Sequence, residues 1–247
     1  MALFEASRLH KRFGAHVVLE DVSMRFEAGR LSGIMGPNGA GKTTCFNLLT
    51  GRYAPDRGSV TFEGRDITGQ PPRRIARLGI SRSFQIMNLF DDYSAIDNVL
   101  VASPEMRQRG FSMLQAFGGK ELEEKGNVIL DRVGLSGKQN VRAKDLSYGD
   151  RRALEIAVAL AGDPVLLFLD EPTAGLGADG IARVADLVTE LKRHLTMVII
   201  EHDMRFLFRL ADRISVVHWG QVIARGTPTE LRENAWVQRS NLGQLAC

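Results

Sequence analysis

Eight residues near the start of the chain, Gly36-Pro37-Asn38-Gly39-Ala40-Gly41-Lys42-Thr43, match the phosphate-loop pattern GxxxxGK[ST]. Glycines at these spacings let successive backbone N–H groups turn toward one anion, and the N-terminus of the following helix adds its positive end. Lys42 supplies a point charge to a nucleotide's β- and γ-phosphates, and the hydroxyl of Thr43, followed by Thr44, can ligate Mg²⁺. A second cluster lies far along the chain, where the apolar run Val165–Leu169 ends in Asp170 and Glu171. Asp170 suits a direct or water-mediated Mg²⁺ role. Glu171, one residue on and so on the opposite side of an extended chain, suits a general base acting on an attacking water. By itself such a pair could equally be a strand end with solvated acids; the phosphate loop in the same chain favours the chemical role.

These groups need a scaffold that brings distant segments together. Strand-like runs at Val22–Phe26, Leu31–Met35, Ser59–Glu63, Val165–Leu169, Met197–Ile200 and Ile214–Val217 alternate with helical patterns, which argues for a largely parallel sheet with helices on its faces. The phosphate loop falls between a predicted strand and a predicted helix. Between Phe84 and Leu146 no strand is predicted: Ser94–Ala102 and Lys120–Val133 are helical, and Gly110–Gly119 is irregular. The expected organisation is an α/β core over 1–85 and 146–247, with a helical subdomain over 86–145.

The chain's 247 residues, 44% hydrophobic and 25% charged, exclude disorder and fibrous classes. With 32 Lys+Arg against 29 Asp+Glu the net charge of +3 does not call for a nucleic-acid partner. Cys45 and Cys247 form no metal cluster, which fits a reducing compartment, and no apolar run approaches the ~18 residues of a membrane span. A cytoplasmic protein with at most a peripheral membrane role is expected. Arg73, Arg74, Arg77 and Arg82 form a basic cluster best read as a charged helix face.

Gly36–Thr44, Gln85, Leu146-Ser147-Tyr148-Gly149-Asp150, Leu169-Asp170-Glu171-Pro172 and His202 occur in the order and spacing of ABC-transporter ATP-binding subunits, and the chain resembles that family over nearly its whole length. The resemblance implies a RecA-like P-loop NTPase core with an antiparallel β region and an inserted helical subdomain. It also implies ATP and Mg²⁺ as ligands. Position by position, it implies that Phe13 stacks on adenine, that Gln85 bridges Mg²⁺ or water to a mobile segment, and that His202 contacts the γ-phosphate and orients water. As a residue, Phe13 has the alternative of an ordinary core side chain. The resemblance further implies that Ser147, Tyr148 and Gly149 face the nucleotide of a second ATP-binding subunit, in a homo- or heterodimer; on pattern alone Ser147 is simply a helix N-cap. Met87, Leu89, Phe90 and Tyr93 fall where the family receives a short helix of the transmembrane permease, or else pack the subdomain onto the core. Tyr148, Asp150 and Gly177 depart from the commonest family wording, the last removing an acidic side chain from the D-loop.

Within the family, Phe46–Gly51, Arg82–Gln85, Asn98–Ala102, Tyr148–Arg152, Ala174–Leu176 and Ile200–Met204 resemble the branched-chain amino acid importer subunits. Urea, amide and other amino-acid importers come next, then the lipopolysaccharide-export ATPase. A non-transport ABC ATPase acting on nucleic acid or protein is disfavoured, because about 60 residues between Gln85 and Leu146 cannot supply a long coiled coil.

Overall fold

The computed structural model describes residues 2–83, 89–109 and 120–239. In chain order these form β1 (Ala2–Phe13), β2 (His16–Glu27), β3 (Leu31–Met35), α1 (Lys42–Leu49), β4 (Arg57–Phe62), β5 (Arg65–Asp66), α2 (Pro72–Arg77) and β6 (Ile80–Arg82). Then follow α3 (Ala95–Ala102), α4 (Pro104–Arg109), α5 (Lys120–Arg132), a 3₁₀ turn at Ala143–Asp145, α6 (Tyr148–Leu160), β7 (Leu166–Asp170) and α7 (Ala178–Leu191). The chain continues through β8 (Thr196–Ile200), α8 (Met204–Leu210), β9 (Arg213–His218), β10 (Gln221–Gly226), α9 (Pro228–Glu233) and α10 (Ala235–Arg239).

Six strands make the central sheet in the order β10-β9-β3-β8-β7-β6, parallel except for the β9–β10 hairpin. Its middle strands read as unbroken apolar runs because both faces are covered. Leu166, Phe168, Val198 and Ile200 pack into one core, shared with α1 and the antiparallel sheet β2-β1-β4-β5. Leu167, Leu169, Met197 and Ile199 alternate to the other face and join a second core with α3, α5, α6, α7 and α8. Ile96, Val99, Leu100 and Leu130 of the helical segment belong to that same second core, so the helices inserted after β6 are bound to the sheet by continuous apolar packing.

The long β1–β2 hairpin begins well before the predicted Val22–Phe26 strand. Register shifts along it, with positive φ at Arg8 and Asp21, interrupt the alternation that periodicity depends on. The basic cluster divides: Arg73, Arg74 and Arg77 lie on α2, whereas Arg82 ends β6 and turns inward, donating to Asn47 Oδ1 (3.1 Å) and Thr50 Oγ1 (2.8 Å) on and beside α1. Gly110–Gly119, Gln85, Met87 and Cys247 lie outside the described residues.

Candidate functional site

The carboxyl ends of β3, β8 and β7, adjacent in the sheet, carry the segments that begin at Gly36, Glu201 and Glu171. Open α/β sheets bind ligands at this edge. Gly36 leaves β3 so close to the β9 backbone that a Cβ there would stand 2.1 Å from the Val217 carbonyl oxygen. At φ +96, Gly41 is the N-cap of α1 and offers no side-chain cap, which leaves the first N–H groups of an eight-residue helix directed at the loop. Lys42 is buried, and its Nζ donates to the carbonyls of Gly36 (2.8 Å) and Pro37 (3.0 Å). Burial pulls its pKa below the usual lysine value, against the attraction of Glu171, Asp170 and Glu201. Thr43 is exposed, Thr44 half-buried, and Gly39 has nothing within 4 Å of where a Cβ would stand.

Asp170 is 2% exposed, and burial lifts its carboxyl to about 6, the Arg82 guanidinium opposing and the Glu171 charge adding to the shift. A divalent cation would supply the charge that burial withholds. Among the described residues no group of three or more His, Cys, Asp and Glu gathers to hold a metal alone. The donor set, one buried carboxyl with the Thr43 hydroxyl, therefore fits Mg²⁺ delivered on phosphate oxygens rather than caged by protein.

Glu171 is not the next residue of an extended strand, as its sequence position had implied. β7 ends at Asp170, and Glu171 takes φ +46, so a left-handed turn sets the direction of its carboxylate. A non-glycine residue held there costs of order 1 kcal/mol, and such conformers persist only where neighbours enforce them. The neighbours are identifiable: Glu171 N–H donates to Ile200 O (2.9 Å), and its carbonyl accepts from Arg152. Its side chain is 18% exposed, with Oε1 3.8 Å from Nδ1 of the half-exposed His202.

The sequence offered no role for Glu201, yet it organises the site. Fully buried, its Oε1 accepts from the Thr173 N–H (2.9 Å) and hydroxyl (2.5 Å), and its Oε2 from the N–H groups of His202 (3.1 Å) and Asp203 (3.4 Å). One carboxylate thus joins the segment after β7 to the one carrying His202. A carboxylate directly following a buried strand was the available signal; its partner Thr173 is 28 residues away in sequence.

The remaining expected residues fall into three places. Phe13 is 45% exposed and stands edge-on to Tyr53 with ring centroids 5.5 Å apart, so it is a surface ring and not a core one. Ser147 is the N-cap of α6, its Oγ accepting from the Asp150 N–H (3.2 Å), while exposed Tyr148 donates from its hydroxyl to Ala174 O (3.1 Å). Phe90 and Tyr93 are exposed and pack edge-on, and Asn98 fixes their loop by accepting from Phe90 N–H (2.8 Å) and donating to the carbonyls of Phe90 and Ser94. Leu89 lines a cavity of about 790 Å³ with Ile75, Arg73, Arg77 and Arg82. No helix among the described residues is long and apolar enough to cross a membrane.

The fold and the sequence are shared with known proteins. The solved ADP conformation of MJ1267, an ATP-binding cassette of an ABC transporter, superposes with a TM-score of 0.87 at 30% identity, covering 98% of this chain and 99% of that one. The lipopolysaccharide export system ATP-binding protein LptB of Acidithiobacillus ferridurans is 33% identical over 98% of this chain and 97% of its own. The high-affinity branched-chain amino acid transport ATP-binding protein LivG of Salmonella typhimurium is 40% identical over 98% of both chains. The ABC transporter family model matches residues 19–174, a span that takes in the phosphate loop, the Ser147 segment and the Asp170–Glu171 strand end, and the chain belongs to that family.

Proposed function

We propose that this chain is the ATP-hydrolysing subunit of an importer for branched-chain amino acids. The observation that carries the catalytic reading is the convergence of the Lys42 loop, Asp170–Glu171 and His202 at one sheet edge. The solute rests on higher identity to LivG (40%) than to LptB (33%). In this reading residues 36–44 hold the phosphates: Lys42 exchanges its two loop carbonyls for β- and γ-phosphate oxygens, and the α1 N-terminus adds backbone donors. Phe13 supplies an exposed ring to the adenine. Thr43, Asp170 and Gln85 would hold Mg²⁺, which neutralises developing phosphate charge. Glu171 accepts the proton of the attacking water. His202, its backbone pinned by Glu201, orients that water toward the γ-phosphate.

The site is completed in trans by Ser147, Tyr148 and Gly149 of a second ATP-binding subunit. Residues 1–85 and 146–247 act as the nucleotide-binding core and 86–145 as the helical subdomain. The permease docks by a short cytoplasmic helix at Leu89, Phe90, Tyr93 and Met87, holding the subunit peripherally on the inner face of the membrane; nucleic acid has no part. Mg²⁺-dependent phosphate release by the purified chain tests the enzyme. Tagging it in its native host and identifying the co-purifying membrane proteins tests the rest: permeases that restore leucine uptake support the reading, and lipopolysaccharide-export partners defeat it.

A further inference from the structure

Arg152 has no part in the chemistry just described, yet it is 3% exposed and points at its centre. From α6 its guanidinium donates through Nη2 to the carbonyls of Asp170 (2.8 Å) and Glu171, and through Nε to that of Pro172 (3.2 Å). Nη1 donates to Glu155 Oε2 at 2.6 Å, one turn further along the helix and 5% exposed. Three consecutive carbonyls at a strand end that turns left-handed cannot be met by a continuing ladder. A planar fork of donors spans them, whereas an ammonium is a single point charge. Glu155 compensates the charge brought inside.

Two further contacts hold the same segment. Tyr148, at the first position of α6, donates to Ala174 O and lies so near Gly175 that a Cβ there would come 2.8 Å from the phenolic oxygen. Glu201 takes Thr173 from the other side. The segment carrying Glu171 is therefore gripped by one helix at 170–172 and again at 174.

We propose that Arg152, with Glu155 as its counter-ion, is a positioning residue for Glu171: it ties the backbone from which the base projects to the helix whose N-terminus meets the partner's nucleotide. The proposal rests on Glu171 being the general base. Engagement of α6 by the second subunit then sets the geometry of this chain's own hydrolysis step, while nucleotide affinity, which belongs to the phosphate loop, is untouched.

The test compares R152K, which keeps the charge and loses the fork, with the double variant R152M/E155L, which removes the buried pair but keeps apolar volume, an exchange proteins commonly tolerate. Expected in both is a kcat at least tenfold lower with the Mg-ATP dissociation constant within twofold of wild type and a retained cooperative melt. A smaller loss of kcat overturns the proposal, as does a loss of kcat that travels with equal losses of affinity and melting temperature, since that marks a purely structural pair. Should the double variant not fold, R152K decides by the same criteria. E171Q is assayed alongside: if it keeps turning over, the base assignment falls, and if it is inactive while both Arg152 variants are fully active, the positioning role alone falls.

Discussion

Glu171 and Lys42 sit at the same sheet edge, but substitution should expose different duties. Glu171→Gln cannot take a proton from water, so steady-state hydrolysis is expected to drop at least about a hundredfold while Mg-ATP titration gives near wild-type affinity. Lys42→Ala removes a buried charge held on the phosphate loop's own carbonyls and is expected to weaken binding itself. Equal losses of affinity in both variants would refute this division. Asp170 yields a prediction about stability. Its carboxyl titrates near 6 in the folded chain against 3.8 unfolded, so the folded state holds the proton more tightly, and stability falls as pH rises between those values. The shift corresponds to about 3 kcal/mol. In EDTA, without nucleotide, wild type should lose about that much relative to Asp170→Asn between about pH 4 and 7; parallel urea midpoints for the two proteins across that range would contradict it. At this scale the sequence disclosed residues whose partners are local. The phosphate loop is legible because its glycines and Lys42 act within eight positions. Glu201 and Arg152 were opaque because the groups they hold, Thr173 and the carbonyls of 170–172, lie 18 to 28 residues away and are backbone or hydroxyl atoms that leave no mark in a pattern.

Elements were legible where burial is uniform and blurred where it is not. β7 and β8 are buried at every residue and were read to within one position from their apolar runs. α10 escaped notice because Trp236 is exposed and, among its residues whose side chains are described, only Val237 turns inward, too little for a helical period. Caps tell a similar story. α3 starts with a reciprocal Ser94–Asp97 box and α9 with Thr227–Glu230, both with side-chain oxygens on backbone donors. α7 starts at Gly177, where no side chain caps the helix and a Cβ would meet nothing within 4 Å. Gly177→Asp should therefore fit without displacement, accept an N–H of the first turn, and place a negative charge at the positive helix end. The expected gain is a few tenths to about 1 kcal/mol in chemical denaturation, with basal hydrolysis per folded molecule preserved. A loss of stability would show that the glycine is required by the backbone rather than merely tolerated.

At the scale of the molecule, the two helix ends proposed to meet anions lie on opposite sides of the central sheet, α1 packing into one apolar core and α6 into the other. α1 follows β3 and carries Lys42; α6 follows the helical segment and packs on α3 and α5. Among the described residues no hydrogen bond joins Ser147–Asp150 to residues 36–44: Ser147 bonds with Asp150, Tyr148 with Ala174, and Asp150 with Lys138. Gly149 is open, with nothing within 4 Å of an added Cβ, and Tyr148 beside it is half exposed. In the proposed arrangement two chains assemble the site, each giving α1 to one nucleotide and α6 to the other, and the γ-phosphate is the anion they share. Slowing hydrolysis should trap that assembly. Glu171→Gln is expected to double in mass on adding Mg-ATP and to return to monomer with Mg-ADP, read by light scattering at matched protein concentration. Adding Gly149→Asp places a carboxylate where the partner's phosphate would sit, so the double variant should bind Mg-ATP with unchanged affinity and stay monomeric. Dimerisation that persists through Gly149→Asp would move the interface away from α6. A Glu171→Gln chain that remains monomeric at saturating Mg-ATP, alone and when mixed with its partner cassette, would overturn the shared site altogether.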